Sequence, residues 1–578
     1  MKTTADDYPG VRRVLVAVAL AALGLVLPAA PAFAHAQLLS TEPVGGTAAA
    51  DAPRQVVLRF SEPVQVSQVG VRVFDADAER VTTETARHPK GKAQEVALPL
   101  PDLANGGYVV TWRVTSADSH PVHGAFTFRV GPVPASGSND QALARQLLAA
   151  DGGDTTVGAT YSALRFLAYG SLVLLVGSLA FVALVWPAGR RMPRARRLVL
   201  AAGAVLAITT ALGIPTQALY VNGLAFSDLS TVGSHLFDSR FGQVWGVRLL
   251  LLGLLAVVLV AFRRWDARSP QDAAPPRPLL AGGGLTAAGL LLTPALAGHA
   301  ATRDLVPLAV ASDLVHLASV SLWLGGLVCL VACVLPRRLA DELSTVVPRF
   351  SRLATVAVAA VLVTGVFQAW REVGSKDALT STTYGRLLMV KVMLFGLLVG
   401  LGGLSRRWIH ARYRVPALRL SPGPGAAALD QDAETVSRLR RTVGAETVVA
   451  VVVLAVTALL VAAEPARSAL ARPFSTELTT DDLLIDVTVD PAKAGPADFH
   501  FYTLTPEGAV SDVAEFTARL RLAEADVGPL PLNVEKVAPG HYAAYRSELP
   551  LRGSWELEVV ARLTEIDQVR ATATIPVR

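Results

Sequence analysis

Residues 244–262 read VWGVRLLLLGLLAVVLVAF, an apolar run that carries one cation, and Arg263 and Arg264 follow it at once. A run of about 20 apolar residues is long enough to cross the hydrocarbon core of a bilayer as a helix. Cations directly after such a run are typical of its cytoplasmic end. This stretch therefore predicts a membrane helix that enters from outside and ends inside.

Similar runs recur along the chain, and the sequence predicts eight spans. With 52% hydrophobic and 17% charged residues, the 578-residue chain is far more apolar than a soluble protein of that length. The spans are predicted near residues 162–187, 198–220, 244–262, 279–298, 306–335, 350–370, 386–404 and 443–463.

Arginines crowd the loops after the odd-numbered spans, whereas the even loops carry few cations. This asymmetry predicts cytoplasmic odd loops and places both chain ends on the extracytoplasmic side of a bacterial plasma (inner) membrane. The net charge of +6 is therefore a topology signal, and no nucleic-acid partner is expected.

The spans are predicted to form a 4+4 parallel repeat. GQVWGVR at 242–248 and GRLLMVK at 385–391 each place one cation six residues after a glycine at the start of a span. Coincidence among helices rich in Leu, Val and Gly is the alternative. We expect the two cations, Arg248 and Lys391, to snorkel toward the outer interface or to be paired.

The first segment, 1–34, is predicted to be a signal peptide. Lys2, Arg12 and Arg13 precede a short apolar run, and Ala32-Phe33-Ala34 supplies the small residues that a signal peptidase needs. Cleavage after Ala34 would make His35 the first residue of the mature chain. An uncleaved anchor is the alternative.

Short alternating runs punctuated by Pro and Gly predict β-sandwiches on both sides of the bundle. The first sandwich is predicted at 35–131, with a linker at 132–160, the eight-helix bundle at 161–464 and a second, immunoglobulin-like sandwich at 474–578. The predicted strands are 55–60, 69–74, 96–100, 108–114 and 126–130, then 484–489, 499–503, 516–522, 541–545, 555–561 and 571–577.

The first sandwich carries a candidate copper site. An N-terminal His35 would offer its free amine and its ring Nδ1 to one metal, a bidentate clamp that an internal histidine cannot make. Asp118 and His120 are two residues apart in a strand-end turn, where both side chains can converge on one ion. Nitrogen and carboxylate donors in a tetragonal arrangement favour Cu(II). His123, after Pro-Val in the same turn, is expected to be solvated.

The stretches HAQLLSTEP at 35–43, LRFSEP at 58–63 and YVVTWRVTSADSHPVHGAFTFRV at 108–130 resemble the copper-resistance protein CopC. The resemblance implies a cupredoxin- or immunoglobulin-like sandwich that binds Cu(II) through His35, Asp118 and His120. It also implies that Glu62 lies at or beside the site, as a weak or second-shell ligand. The eight spans resemble CopD, the inner-membrane partner, and the tail resembles small exported immunoglobulin-like domains found beside copper proteins.

Ionisable residues inside membrane spans cost free energy in a bilayer, and they are therefore candidates for a copper pathway through the bundle. Asp313 and His316 share one face of the fifth span, and His299 ends the fourth. The resemblance to CopD supports His299 and His316 as pathway residues, whereas an interhelical hydrogen bond that fastens the bundle is the alternative.

Sulfur ligands are the second set of pathway candidates. Cys329 and Cys333 lie four apart in the fifth span, and Met389 and Met393 lie four apart in the seventh. These soft donors suit Cu(I), and core filling is the alternative.

The sequence therefore predicts a copper-binding membrane protein that captures Cu(II) outside and imports it or passes it on. Copper chaperones or cuproenzyme-assembly proteins are the expected partners besides the ion and the lipid bilayer. A non-transporting copper sensor or scaffold is one alternative. A copper monooxygenase or oxidase is another, because lytic polysaccharide monooxygenases share the histidine clamp, but Asp118 would fill a position that those enzymes leave open for oxygen.

Overall fold

The computed structural model describes most of the chain outside its first 35 residues. The described residues are 36, 38–45, 48–49, 51–117, 119–131, 143–144, 146–148, 153–270, 273–298, 300, 305–337, 340–374, 376, 378–413, 444–461, 463, 465–466, 474–506, 511–564 and 566–577. The predicted signal peptide, with His35, Asp118 and His299, lies outside them.

The first domain is a β-sandwich of two sheets. One sheet has the order β1-β3-β5 and the other β2-β7-β6-β4. The strands are β1 Leu38–Glu42, β2 Ala48–Ala49, β3 Gln55–Phe60, β4 Gln65–Phe74, β5 Glu95–Pro99, β6 Gly106–Thr115 and β7 Pro121–Val130.

The first core lies between these two sheets. Alternating residues of the facing strands point inward, so that Leu58, Val73, Val96 and Val110 are fully buried. Phe60 and Trp112 pack edge to face across the core, with ring centroids 5.4 Å apart. The core thereby fixes the ends of β6 and β7 on either side of the turn that includes His120.

The middle of the chain contains eight helices long and apolar enough to span a bilayer, which confirms the predicted number. They are α1 Thr155–Leu184, α2 Pro193–Asn222, α3 Arg240–Arg268, α4 Arg277–Ala297, α5 Val306–Arg337, α6 Ala340–Val373, α7 Thr383–Tyr413 and α8 Gly444–Val461.

The described loops after the first, third and fifth spans meet at one end of the bundle. Asp266, at the end of α3, accepts hydrogen bonds from Arg191 and Arg196 in and after the loop that follows α1. Glu342, after α5, accepts a 2.6 Å bond from the indole of Trp186, which also follows α1. These three arginine-bearing loops therefore lie on a common side, as the predicted topology requires.

Helix α5 is irregular where it packs against α1. It contains two π-helical turns, Ser321–Gly325 and Leu330–Val334. A Cβ atom added to Gly177 would lie 2.1 Å from the Ser321 carbonyl oxygen and 2.6 Å from the Cα of Gly325. Only glycines allow the two backbones to come this close, and such small-residue contacts are a common way to pack membrane helices.

The tail is a second β-sandwich, with one sheet of order β13-β14-β10-β9-β8 and another of order β12-β11-β15-β16. Trp555, Phe499 and Phe501 lie fully buried between the sheets. The strands are β8 Phe474–Thr479, β9 Leu484–Asp490, β10 Gly495–Leu504, β11 Glu515–Leu522, β12 Val527–Pro531, β13 Glu535–Ala538, β14 His541–Leu549, β15 Gly553–Arg562 and β16 Gln568–Val577.

The predicted fold class is therefore confirmed: two β-domains flank an eight-helix bundle. Five strands were not predicted from the sequence, namely β1, β2, β8, β12 and β13. All five lie at the edge of a sheet, where a strand has a neighbour on one side only and the alternation of apolar and polar residues is weak. Strand β7 also begins at Pro121, earlier than predicted, because it pairs with the full length of β6.

Candidate metal centre

The turn that joins β6 to β7 is tightly closed and presents His120. The backbone N–H of Ser116 donates to the His120 carbonyl at 2.9 Å, and the Ser116 hydroxyl donates to the same oxygen, also at 2.9 Å. Ser119 has a φ of 70°, a left-handed conformation that lets the chain reverse in a few residues. His120 itself is half-buried. These contacts hold Ser116, Ser119 and His120 close together at the start of β7.

Glu62 lies against this turn. It sits in the Ser-Glu-Pro segment between β3 and β4, and it is only 1% exposed. Its Oε1 accepts a 3.3 Å hydrogen bond from the N–H of Ala117. A buried carboxylate is costly unless polar or charged groups surround it. The position of Glu62 fits the expectation that it lies at or beside the predicted site.

Gly124 is required by the packing behind the turn. It pairs with Trp112 across the β6–β7 ladder, and an added Cβ would lie 2.6 Å from the indole ring. His123, its neighbour, is exposed and lies within β7 opposite Arg113. The expectation that His123 stands in a turn was wrong, because the β6–β7 ladder extends further than the alternation of the sequence suggests.

Ala36, which precedes β1, is packed into the first domain. Ala36, the residue after His35, is 3% exposed and belongs to the core that contains Phe60 and Val114. Among the residues that the structure describes, no group of three or more His, Cys, Asp or Glu side chains is arranged to hold a metal.

The polar residues of α5 face α6. Gln368 donates a 2.8 Å hydrogen bond to Oδ1 of Asp313, and Nδ1 of His316 lies 2.8 Å from the hydroxyl of Thr364. Thr364 and Gln368 are four residues apart and so share one face of α6. Both were missed from the sequence, although two polar residues at this spacing in an apolar span are a detectable signal.

The two intramembrane cations have polar neighbours on other helices. Lys391 of α7 lies close enough to Asp313 and His316 to interact electrostatically with both. Arg248 is 3% exposed, donates to the Thr293 hydroxyl at 2.7 Å and lies 4.4 Å from the centre of the Trp245 ring. For Arg248 the snorkelling alternative was wrong, because its guanidinium is enclosed by neighbouring helices.

The sulfur residues do not form one cluster. Cys329 and Cys333 are 0% and 2% exposed, and their thiols contact each other within an apolar cluster that includes Phe181 and Phe350. Met393 is 65% exposed, so the structure places it on the outside of the bundle. Met389 is half-buried.

Known protein families match three parts of the chain. Residues 38–131 match the CopC domain, residues 154–306 match the N-terminal domain of copper resistance protein D-like proteins, and residues 344–460 match copper resistance protein D. The first match covers the β-sandwich with Glu62 and His120. The other two cover most of the helical bundle.

Individual relatives agree with these matches. The copper transport protein CutJ of Bacillus subtilis is 28% identical over 401 residues, which is 66% of this chain and 69% of CutJ. Copper resistance protein C of Escherichia coli is 32% identical over 115 residues, or 18% of this chain and 90% of that protein. The inner membrane protein YebZ of Escherichia coli is 26% identical over 274 residues, or 46% of this chain and 89% of YebZ.

The family follows from three findings: the β-sandwich with its buried glutamate, the eight apolar helices and the matched segments. The chain is a multi-pass membrane protein of the CopC and CopD copper-resistance family, in which both domains occur in a single polypeptide that handles copper.

Proposed function

We propose that the first domain captures Cu(II) outside the cell through an N-terminal histidine clamp. In this proposal the His35 amine and ring, together with Asp118 and His120, hold the ion, and Glu62 supports them. The observation that carries the proposal is the buried Glu62 carboxylate against the turn that holds Asp118 and His120. The burial of Ala36 supports it further, because the mature chain start is held in the same domain.

We propose that the bundle then imports copper or passes it to a partner. Asp313 and His316 would receive the ion in the outer half of α5, since export of the first domain places the start of this helix outside. Trp323 of α5 packs against Phe395 of α7 at 5.9 Å and so marks a common depth. With a rise of about 1.5 Å per residue, His316 and Met389 lie roughly 10 Å above this depth and Cys329 roughly 9 Å below it.

This order from imidazole to thiol places the donors that suit Cu(I) at the inner end of the proposed route. The exposure of Met393 removes one of the two thioethers from the proposed route, which leaves Met389. Lys391 beside Asp313 and His316 would repel an arriving cation, so copper would have to displace this lysine from its carboxylate partner.

The test is radiocopper uptake into proteoliposomes that contain the full-length mature chain. A chain with one extra residue before His35 should bind Cu(II) at least tenfold more weakly, because the added residue removes the free amine from the chelate. His120→Ala should do the same. Uptake and Cu(II) affinity that are both unchanged in the extended chain would remove the clamp from the proposal.

We also propose that the chain is not an enzyme. With Asp118 as a ligand, the copper would lack the open position that oxygen chemistry needs. Oxygen consumption by the copper-loaded protein with ascorbate should then equal that of free copper bound to a simple chelator. Turnover above that level would favour the oxidase alternative.

A further inference from the structure

The five-stranded sheet of the tail carries an unusual outer face. Along β10, Phe499 and Phe501 point into the core and are fully buried, so His500 and Tyr502 point to the opposite face. On the neighbouring strand β14, His541 pairs with Tyr502. On this face His500, Tyr502 and His541 are only half-buried, although the sheet beneath them is fully packed.

Two imidazoles meet on this face. Nδ1 of His500 lies 3.2 Å from Nε2 of His541, and the two residues are diagonal neighbours on β10 and β14. Aromatic rings hold both in place. His541 stacks on Tyr502 at 4.4 Å, and the ring of Tyr545 approaches His500 edge-on at 5.8 Å.

The spacing of the two nitrogens fits a shared metal ion. Metal–imidazole bonds are about 2.0–2.1 Å long. Two such bonds at a near-right angle place their nitrogens roughly 3 Å apart, close to the separation seen here. Chelation would require the two rings to turn so that both nitrogen lone pairs point at one ion, and the short distance between the nitrogens keeps this movement small. A single hydrogen bond between the rings is the competing explanation.

We propose that His500 and His541 form a second copper site, which binds Cu(II) through two imidazoles and water. Imidazole donors suit several late transition metals, and Cu(II) stands highest in their affinity order. Residues 474–578 contain neither Met nor Cys, so soft ligands for Cu(I) are absent from this part of the sequence. The choice of copper as the metal rests on the proposed function.

The second site is separate from the first. Asp486 pairs with Tyr502 on the side of β10 opposite to β14, and it interacts electrostatically with Arg129 of the first domain. Arg129 stands nine positions after His120 along the extended strand β7. At about 3.3 Å per residue these two positions are about 30 Å apart. The His500–His541 pair therefore lies beside the end of the first domain that is remote from its predicted metal site.

The test counts Cu(II) bound to the full-length mature chain in detergent, by equilibrium dialysis against glycine as a competing chelator. Four proteins are compared: wild type, His120→Ala, the double variant His500→Gln with His541→Gln, and the combination of all three changes. The double variant should bind one Cu(II) fewer than wild type. In the His120→Ala background, the remaining Cu(II) should show an electron paramagnetic resonance spectrum with two nitrogen ligands, and the added double change should abolish it.

His235→Gln is the matched control, because this exposed histidine also has a close partner, Asp238 at 2.7 Å. It should leave the copper count unchanged. His541→Phe is a second variant that keeps a ring stacked on Tyr502 and removes the donor, so it tests the site if the double variant is unstable. If either variant keeps the wild-type count, the pair is a hydrogen bond only and the second site is wrong. If His120→Ala keeps the wild-type count instead, the proposed first site fails independently.

Discussion

Nδ1 of His316 lies 2.8 Å from the hydroxyl oxygen of Thr364, which fixes the orientation of an imidazole inside the membrane bundle. The same hydroxyl also donates to the carbonyl of Ala360, one turn earlier in α6. Thr364 is therefore held by its own helix and in turn positions the His316 ring. One turn along each helix, the Asp313–Gln368 pair repeats this arrangement.

Replacement of His316 by Ala should abolish copper uptake in proteoliposomes, while Cu(II) binding by the first domain stays intact. Thr364→Val removes only the positioning hydrogen bond, whose worth is about 0.5–1.5 kcal/mol, and should slow uptake severalfold. Thr355→Val is the control, because Thr355 is exposed on the same helix and donates to the Ser351 carbonyl. Normal uptake by His316→Ala would leave this pair with a structural role alone.

The double change Cys329→Ala with Cys333→Ala should clearly reduce uptake if the thiols receive copper near the inner end of α5. Both thiols are packed in an apolar cluster, so the double change also removes packing contacts, and this effect must be measured separately. Leu327→Ala opens a larger cavity in the same cluster without loss of a sulfur donor, and so measures the packing effect alone. Uptake that falls equally in both variants, or in neither, would identify the cysteines as core residues.

Glu62→Gln should weaken Cu(II) binding by about 10–100-fold, the range seen when a group that supports metal ligands is lost. The amide keeps the size of the side chain but removes the negative charge beside the turn that contains His120. Glu79→Gln, an exposed change in the same domain, should have no effect. Competition with a chromogenic chelator measures both affinities, and an unchanged value for Glu62→Gln would exclude Glu62 from the site.

Gly177→Ala should destabilise the bundle strongly, because the new methyl group would overlap the Ser321 carbonyl and the Cα of Gly325. These are backbone atoms, so α1 and α5 would have to separate. Gly170→Ala is the matched control on the same helix, since nothing lies within 4 Å of the added Cβ. The measurement is the thermal transition in detergent. Equal transitions for the two variants would contradict the close α1–α5 contact.

Asp490 makes the stability of the second sandwich depend on pH. Burial, reinforced by the nearby Asp498 carboxylate, raises the pKa of Asp490 to about 6 from an ordinary value of 3.8. The folded state therefore favours the protonated form, and this contribution to stability is present below about pH 4 and is lost as the pH rises to about 6.

Asp490→Asn should thus raise the unfolding temperature of this domain at pH 7.5 by several degrees and have little effect near pH 4. A gain of about 1 kcal/mol corresponds to roughly 4–8 °C for a domain of about 100 residues. Calorimetry at both pH values is the measurement, and Glu524→Gln, an exposed change in the same domain, is the control. A gain of equal size at both pH values would show that the carboxyl group is not responsible.

Features that depend on local sequence were predicted well. The eight spans follow from runs of apolar residues. In a bilayer each spanning helix satisfies its own backbone hydrogen bonds, so the length and hydropathy of the segment are enough to predict it. The longer strands, such as β3 and β9, follow from the alternation of apolar and polar residues, because successive side chains of a strand point to opposite faces of the sheet. Copper handling was also predicted from the sequence and is supported by the family matches, whereas His35, Asp118 and His120 as ligands stay predictions.

Other features were decided by the tertiary structure, because they join residues that are far apart in the chain. Gln368 and Thr364 become partners of Asp313 and His316 only through the packing of α5 against α6. The His500–His541 pair depends on the register of β10 and β14, which a bulge between Ala497 and Phe499 shifts. A shift of one residue would turn His541 toward the core. Sequence patterns give each residue its face, whereas only the register and packing of whole elements decide which side chains meet.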